Sequence, residues 1–237
     1  MSVRFPRFVV LTGAGISQES GIPTFRDLGG YWEQFRIEEV ASPEGFAANP
    51  ALVHEFYNLR RRKLQEPAIQ PHAGHRALAE FAARTDADFL LVTQNVDDLH
   101  ERAGSRDVLH MHGELRKARC THCAAVRPWD EDLGTALACP SCGQRGGLRP
   151  HIVWFGEMPF ELDRIYAAVE RCECFVAIGT SGLVYPAAGL AAEAQCAGAR
   201  TVELNLEPSG APFDQIVTGP ASVTVPQFFA SLPGAGK

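Results

Sequence analysis

This chain has no apolar run approaching the ~18 to 20 residues that a helix needs to cross a bilayer. Its start, MSVRFPRFVVLTG, does not place a charged region, an apolar stretch and a small-residue cleavage site in succession. A soluble, cytoplasmic protein with no membrane partner is therefore expected. The chain also lacks a strongly basic block: 22 Lys and Arg against 28 Asp and Glu leave a net charge of −6. That balance argues against nucleic acid as the main ligand. Internal repeats and low-complexity segments are absent. An even set of cysteines is absent too, since there are seven: Cys120, Cys123, Cys139, Cys142, Cys172, Cys174 and Cys196. Four of them form two CxxC pairs, which in a cytosolic chain reads as a metal site and not as a disulfide framework.

What is present is 237 residues, 46% of them hydrophobic, enough for one good core and a smaller appended module. The apolar runs are short: FVVLTG (8–13), FLLVTQN (89–95), CFVAIGTS (174–181), TVELN (201–205) and SVTV (222–225). Helical patterns separate them, over 74–85, 97–104, 159–172 and 186–198. Runs apolar on both faces and alternating with helices predict buried parallel strands in a Rossmann-like, doubly wound α/β sheet. Two segments break the alternation. Residues 30–72 read as helical, and 116–149 carry the cysteine pairs with many Gly and Pro. Both are assigned to a small lobe of helical module plus zinc ribbon, inserted twice into a large lobe of 1–29, 73–115 and 150–237.

Four of the runs end in small or polar groups: Gly13 to Ser17, Gln94 and Asn95, Gly179 to Ser181, and Asn205. An open parallel sheet binds ligands at the carboxyl ends of its strands, so these four edges are expected to converge on one polar ligand. In VVLTGAGIS, Gly13 and Gly15 would let the backbone approach a diphosphate. The third glycine of GxGxxG is missing, with Gln18 in its place, and no acidic residue is evident on the second strand. A plain tight turn would account for the two glycines as well.

CTHC (120–123) and CPSC (139–142) give C-x2-C-x15-C-x2-C, a tetrathiolate zinc spacing. Four thiolates leave no open position, so the zinc is expected to be structural, with His122 a bystander. HMHGE (110–114) puts His112 before a glycine at the junction with the small lobe. Its ordinary pKa of about 6.5 suits a general base. His110 would share a strand face with it and is given no role, and His54, His72, His75, His100 and His151 default to structural readings.

Taken in order, GAGIS…GIPTFRD, TQNVDD, HGE, the paired CxxC, RPHIVWFGE, GTS and NLEP resemble the sirtuins, NAD-dependent protein-lysine deacylases. The resemblance runs from about residue 10 to about residue 225 and is strongest to the class III, desuccinylase-like bacterial branch. Val96 stands where isoleucine is usual, and Asp98 follows Asp97. The resemblance implies that Gly13, Ala14, Gly15, Ile16 and Ser17, with Phe25 and Arg26, hold the NAD diphosphate and nicotinamide ribose. It places Gln94, Asn95, Val96 and Asp97 around that ribose and the carboxamide. Gly179, Thr180 and Ser181 would meet the diphosphate and adenosine, and Asn205, Leu206, Glu207 and Ala221 the adenosine end. HIVWFGE (151–157) and GLV (182–184), through Gly182 and Val184, would clamp a peptide as an added strand, with Val153 and Phe155 lining the acyl-lysine tunnel. The implied reaction moves the acyl oxygen onto the nicotinamide ribose as nicotinamide leaves. His112 then takes a ribose hydroxyl proton so that the hydroxyl attacks the resulting imidate, and water completes the release of lysine and O-acyl-ADP-ribose. Asn95 is the second implied catalytic residue.

The same branch explains HEFYNLRRRKLQ (54–65). As a helix, it gathers Leu52, Val53, Phe56, Tyr57, Leu59 and Leu64 on one arc that includes Arg60, whereas Arg61 and Arg62 fall outside and are expected in solvent. The resemblance implies that Tyr57 and Arg60 receive the distal carboxylate of a succinyl-lysine. Without it, Arg60 would be read as snorkelling or as pairing with Glu55 or Glu66, and Tyr57 as ordinary packing. The expectation is one zinc and NAD, an acylated lysine partner, and a monomer that removes acetyl and succinyl groups. An ADP-ribosyltransferase and a non-catalytic NAD-sensing zinc-ribbon module are the competing readings.

Overall fold

A computed structural model describes residues 6–23 and 35–232. The chain starts with β1 (Arg7–Thr12) and α1 (Ala14–Gln18) and enters a helical module of α2 (Ile37–Val40), α3 (Pro43–Ala48) and α4 (Pro50–Leu64). Then come α5 (Ala73–Arg84), β2 (Asp88–Thr93), α6 (Leu99–Arg102) and β3 (Leu109–His110). A second excursion carries β4 (Gly113–Cys120), β5 (Val126–Pro128) and β6 (Leu148–Ile152). The chain finishes with α7 (Leu162–Val169), β7 (Cys174–Ile178), α8 (Leu190–Cys196), β8 (Arg200–Asn205), β9 (Gln215–Thr218) and α9 (Ala221–Ser231).

Six of the strands form one sheet in the order β3-β2-β1-β7-β8-β9, and every neighbouring pair is parallel. Counted along the chain, this is the order 3-2-1-4-5-6 of a Rossmann-like doubly wound sheet. The direction of winding reverses between β1 and β7, and Val10 at the middle of β1 pairs with Leu91 on one side and Val176 on the other. Alternate β1 residues serve opposite faces. Phe8 and Val10 pack with Leu78 and Phe81 of α5 and Val225 and Phe229 of α9. Val9 and Leu11 pack with Ile165 of α7 and Leu190 of α8. With both faces covered, the strands lose the polar alternation of a half-exposed sheet.

The strands expected at 8–13, 89–95, 174–181 and 201–205 are β1, β2, β7 and β8. SVTV (222–225) is not a strand but the first turn of α9. Its buried residues Ala221, Thr224, Val225 and Phe229 recur at helical spacing, and that face packs on α5. The β-branched composition reads as strand, but burial along one stripe decides for helix. The last strand is β9, half-exposed in alternation at the sheet edge.

A three-stranded antiparallel sheet, β5-β4-β6, forms the second excursion. Its own core is small, with Ala118, Cys120, Leu133, Cys139 and Leu148 buried. Helix α4 starts at an Asn49 cap, whose side chain accepts from the Leu52 amide at 3.1 Å, with Pro50 in the first turn. Arg61 overturns the expectation of a solvated side chain: it is fully buried, while Arg62 is exposed and faces Asp132. Arg61 Nε donates to the Leu115 carbonyl at 3.0 Å, and Nη1 to Asn58 Oδ1 at 2.9 Å and the Glu131 carbonyl at 3.3 Å. Burial pulls its pKa down to about 10, with Asp132 and Asp130 opposing. Asn58 completes the clamp, donating to the Leu133 carbonyl and accepting from its amide, each at 2.8 Å. The helix face outside the apolar arc thus meets the zinc lobe. No helix among the described residues is long and apolar enough to cross a membrane.

Candidate active site

The polar ends of β1, β2, β7 and β8 come together where the winding reverses. The Gly13 and Gly15 amides donate to the carbonyls of Ile178 and Gly179, at 2.9 and 2.8 Å. A Cβ on Gly13 would lie 2.7 Å from the Gly179 oxygen, and one on Gly15 2.8 Å from Gly179 Cα. Side chains are therefore excluded from this junction by the approach of two turns, which a solitary tight turn would not require. Gln94 Nε2 reaches Thr180 Oγ1 at 3.1 Å, and Asn205 Nδ2 donates to the Thr180 carbonyl at 2.9 Å.

Asn95 is buried with its amide fixed: Nδ2 donates to the Gly13 carbonyl and to Ser17 Oγ, both at 3.0 Å. Ser17 in turn donates to Asp97 Oδ2 at 2.9 Å. Burial pushes the Asp97 carboxyl above its usual range, with the Ser17 hydroxyl opposing. Ile16 turns its side chain into the core, and its carbonyl accepts from His72 Nε2 at 2.6 Å. Ala14 stands partly exposed in α1, Val96 accepts from the Leu115 amide at 2.8 Å, and the Ser181 hydroxyl accepts from the Leu183 amide at 3.3 Å. Leu206 and Glu207 are exposed on the loop after β8, and Ala221 is buried at the start of α9. Phe25 and Arg26 lie outside the described residues.

His112 sits between β3 and β4. Its Nδ1 lies 3.2 Å from the Gln94 carbonyl. A carbonyl only accepts, so Nδ1 carries the proton and Nε2 presents a lone pair. Burial lowers the His112 pKa, partly offset by that carbonyl. Gly113 follows at φ +86, where a Cβ would lie 2.1 Å from the His151 carbonyl oxygen. His110 has a partner set that the sequence did not disclose: Nδ1 donates to the Asn95 carbonyl at 3.2 Å and Nε2 pairs with Glu101 at 2.7 Å. Burial opposes its charge, but Glu101, Glu114 and the Asn95 carbonyl together raise its pKa. The HxH spacing was the available signal, since both rings reach back to consecutive carbonyls of the 94–95 turn.

Tyr57 is almost fully buried, and its hydroxyl oxygen accepts from Trp154 Nε1 at 2.9 Å. Burial pushes the phenol up to about 12, with the Arg60 charge opposing. Arg60 is half-buried with its guanidinium 5.4 Å from the Phe56 ring centroid. Burial lowers its pKa, while Tyr57 and Asp97 act the other way. Glu66 pairs with Lys63 at 2.7 Å.

The two segments expected to clamp a peptide are not strands here. Only His151 and Ile152 of HIVWFGE belong to β6, and 182–184 forms no strand. The amides after Ile152 are committed elsewhere: Val153 to the His112 carbonyl, Trp154 to Glu157 Oε2 and Phe155 to the Ala41 carbonyl, each at 2.9 Å. Val153 is partly buried, Phe155 and Val184 are exposed, and Gly182 takes φ +67.

Cys120, Cys123, Cys139 and Cys142 bring their sulfurs within 4.8 Å of one another. The Cys120–Cys142 and Cys123–Cys139 separations are both 3.8 Å. A tetrahedral ion with Zn–S bonds of about 2.3 Å has sulfur edges of about 3.8 Å. The quartet fits one zinc with every position filled by protein, which makes the site structural. His122 is exposed beside Gly147.

Comparison with known proteins identifies the family. The Sir2 family profile matches residues 13–186. An NAD-dependent protein deacylase of Salmonella typhimurium is 56% identical over 225 residues, covering 94% of this chain and 82% of the relative. One of Bdellovibrio bacteriovorus is 52% identical over 230 residues, covering 96% and 97%. A Sir2 homolog–NAD complex superposes with a TM-score of 0.86 at 40% identity, covering 95% of this chain and 89% of that one. Sir2Af2 bound to a myristoylated histone peptide superposes with a TM-score of 0.73 at 32% identity, covering 96% and 91%. The chain belongs to the Sir2 family.

Proposed function

We infer that this chain is an NAD-dependent protein-lysine deacylase that removes acetyl and succinyl groups. The observation that carries the reading is His112, its Nε2 left as a lone pair by the Nδ1–Gln94 bond, which ties it to the turn that carries Asn95, the head of the Asn95–Ser17–Asp97 chain. When bound, NAD would supply the ribosyl carbon that receives the acyl oxygen, with nicotinamide as the leaving group. Gly13 to Ser17, with Phe25 and Arg26, and Gly179 to Ser181 hold its diphosphate, while Asn205, Leu206, Glu207 and Ala221 serve the adenosine end. Gln94, Asn95, Val96 and Asp97 would surround the nicotinamide ribose, and His112 Nε2 would take the proton of a ribose hydroxyl, with water completing the release of lysine. The reaction requires that bulk water be kept from the sugar cation.

The substrate is an acylated lysine of a protein or peptide, clamped by 151–157 and 182–184, with Val153 and Phe155 along the tunnel. The named activity of the two bacterial relatives and the acylated peptide in the Sir2Af2 complex support this class. At the far end, Tyr57 and Arg60, one helical turn apart, offer a phenol and a guanidinium to a dicarboxylic acyl group. Large-lobe segments 1–29, 73–115 and 150–237 carry the NAD site, and 30–72 with 116–149 carry the acyl end and the zinc. The test is chromatography of acetyl- and succinyl-lysine peptides incubated with the protein, with and without NAD. NAD-dependent release of both acyl groups is expected; release of neither, from active and zinc-loaded protein, would overturn the reading.

A further inference from the structure

We propose that Trp154 is a positioning residue that fixes the Tyr57 hydroxyl as a hydrogen-bond donor toward a dicarboxylic acyl group. The proposal rests on the acyl pocket assigned above. An indole N–H can only donate, and the Trp154 Nε1 contact at 2.9 Å therefore fills an acceptor position on the Tyr57 oxygen. The phenol has one proton, and among the described residues it donates to none. Both rings are almost fully buried, so neither group exchanges this contact for water. Its burial also keeps the phenol protonated, with a pKa pushed up to about 12. The hydroxyl is left as a donor whose oxygen is anchored on one side.

The anchor is itself held. The Arg149 guanidinium lies 3.3 Å from the Trp154 ring centroid. Arg149 donates to both Glu157 oxygens, at 2.7 and 2.9 Å, and to the Ile152 carbonyl at 2.7 Å. Glu157 also accepts from the Trp154 amide. The indole is thus fixed by β6 and the segment that follows it, while Tyr57 rides on α4. An acetyl group ends in a methyl and cannot use the oriented O–H, whereas a succinyl group ends in a carboxylate that can. Losing the indole N–H should therefore change the choice between acyl groups more than the chemistry common to both.

The experiment compares wild type, Trp154→Phe, Tyr57→Phe and the double variant, reading kcat/KM on succinyl- and acetyl-lysine peptides. Trp154→Phe keeps a ring beneath Arg149 and removes the N–H. We expect the succinyl-to-acetyl ratio to fall roughly three- to tenfold in Trp154→Phe, as befits one oriented neutral hydrogen bond, through KM on the succinyl peptide. In the Tyr57→Phe background, Trp154→Phe should leave the ratio where Tyr57→Phe put it. The ratio cancels the fraction of active enzyme, and Trp154→Leu gives the same readout should Trp154→Phe fold poorly. A ratio that falls in Tyr57→Phe but not in either Trp154 variant overturns the role of Trp154 alone. So does a fall of equal size in both backgrounds. A ratio unmoved by Tyr57→Phe overturns the acyl-pocket reading, and the proposal with it.

Discussion

His112 donates its Nδ1–H to the main-chain carbonyl of Gln94 at 3.2 Å. One bond selects the tautomer, aims the ring and ties it to the turn that carries Asn95. Replacing His112 by alanine should lower kcat/KM for acyl removal by about 10²- to 10⁴-fold, the usual cost of losing a general base. NAD binding, followed by calorimetry, should persist. The working form of the base is neutral, and burial lowers the pKa of His112. Activity should therefore hold as pH falls to the ordinary histidine range and drop only below it, in the pH profile of kcat/KM. A variant within tenfold of wild type would remove the assigned role.

The zinc quartet encloses a core too small to hold the β5-β4-β6 lobe unaided. Metal analysis should find one zinc per chain. Cys139→Ala, or a strong chelator, should lower the melting temperature and reduce activity as a consequence, because the metal's binding free energy is part of the folding free energy. Zinc-free protein with unchanged melting would contradict this.

Arg61 is buried against carbonyls of β4 and of the loop before Leu133. Arg61→Met fills the volume but strands those acceptors, at a cost of about 2 to 4 kcal/mol. For a chain of this size that is a melting decrease on the order of 10 °C. The ratio of succinyl to acetyl turnover should stay near wild type at low temperature. Calorimetry showing no loss of stability would contradict the clamp between α4 and the zinc lobe.

Arg60 and Tyr57 should behave differently from their neighbour. Arg60→Met and Tyr57→Phe are expected to cut desuccinylation roughly ten- to a hundredfold more than deacetylation, the value of a buried charge-assisted contact. Steady-state kinetics on paired peptides check this. Equal losses on both substrates would make Arg60 a residue of the fold.

The sequence disclosed most clearly what depends on neighbours in the chain. β1, β2, β7 and β8 are buried on both faces, and continuous apolar runs report that directly. The two CxxC pairs report their metal because tetrahedral geometry needs two tight turns. SVTV misled because β-branched residues favour strands, whereas packing on α5 sets this segment as α9. Arg61 misled because an arc drawn on one helix cannot see acceptors from Leu115 and Glu131, 54 and 70 positions away. The Trp154–Tyr57 bond spans 97 positions and left no local trace.

The most direct test of the account is mass spectrometry of a succinyl-lysine peptide incubated with the protein and NAD. The account predicts free lysine peptide, nicotinamide and O-succinyl-ADP-ribose in equal amounts, and an acetyl peptide giving the corresponding O-acetyl product. NAD consumed with ADP-ribose appearing on a protein side chain, while both peptides keep their acyl groups, would contradict it.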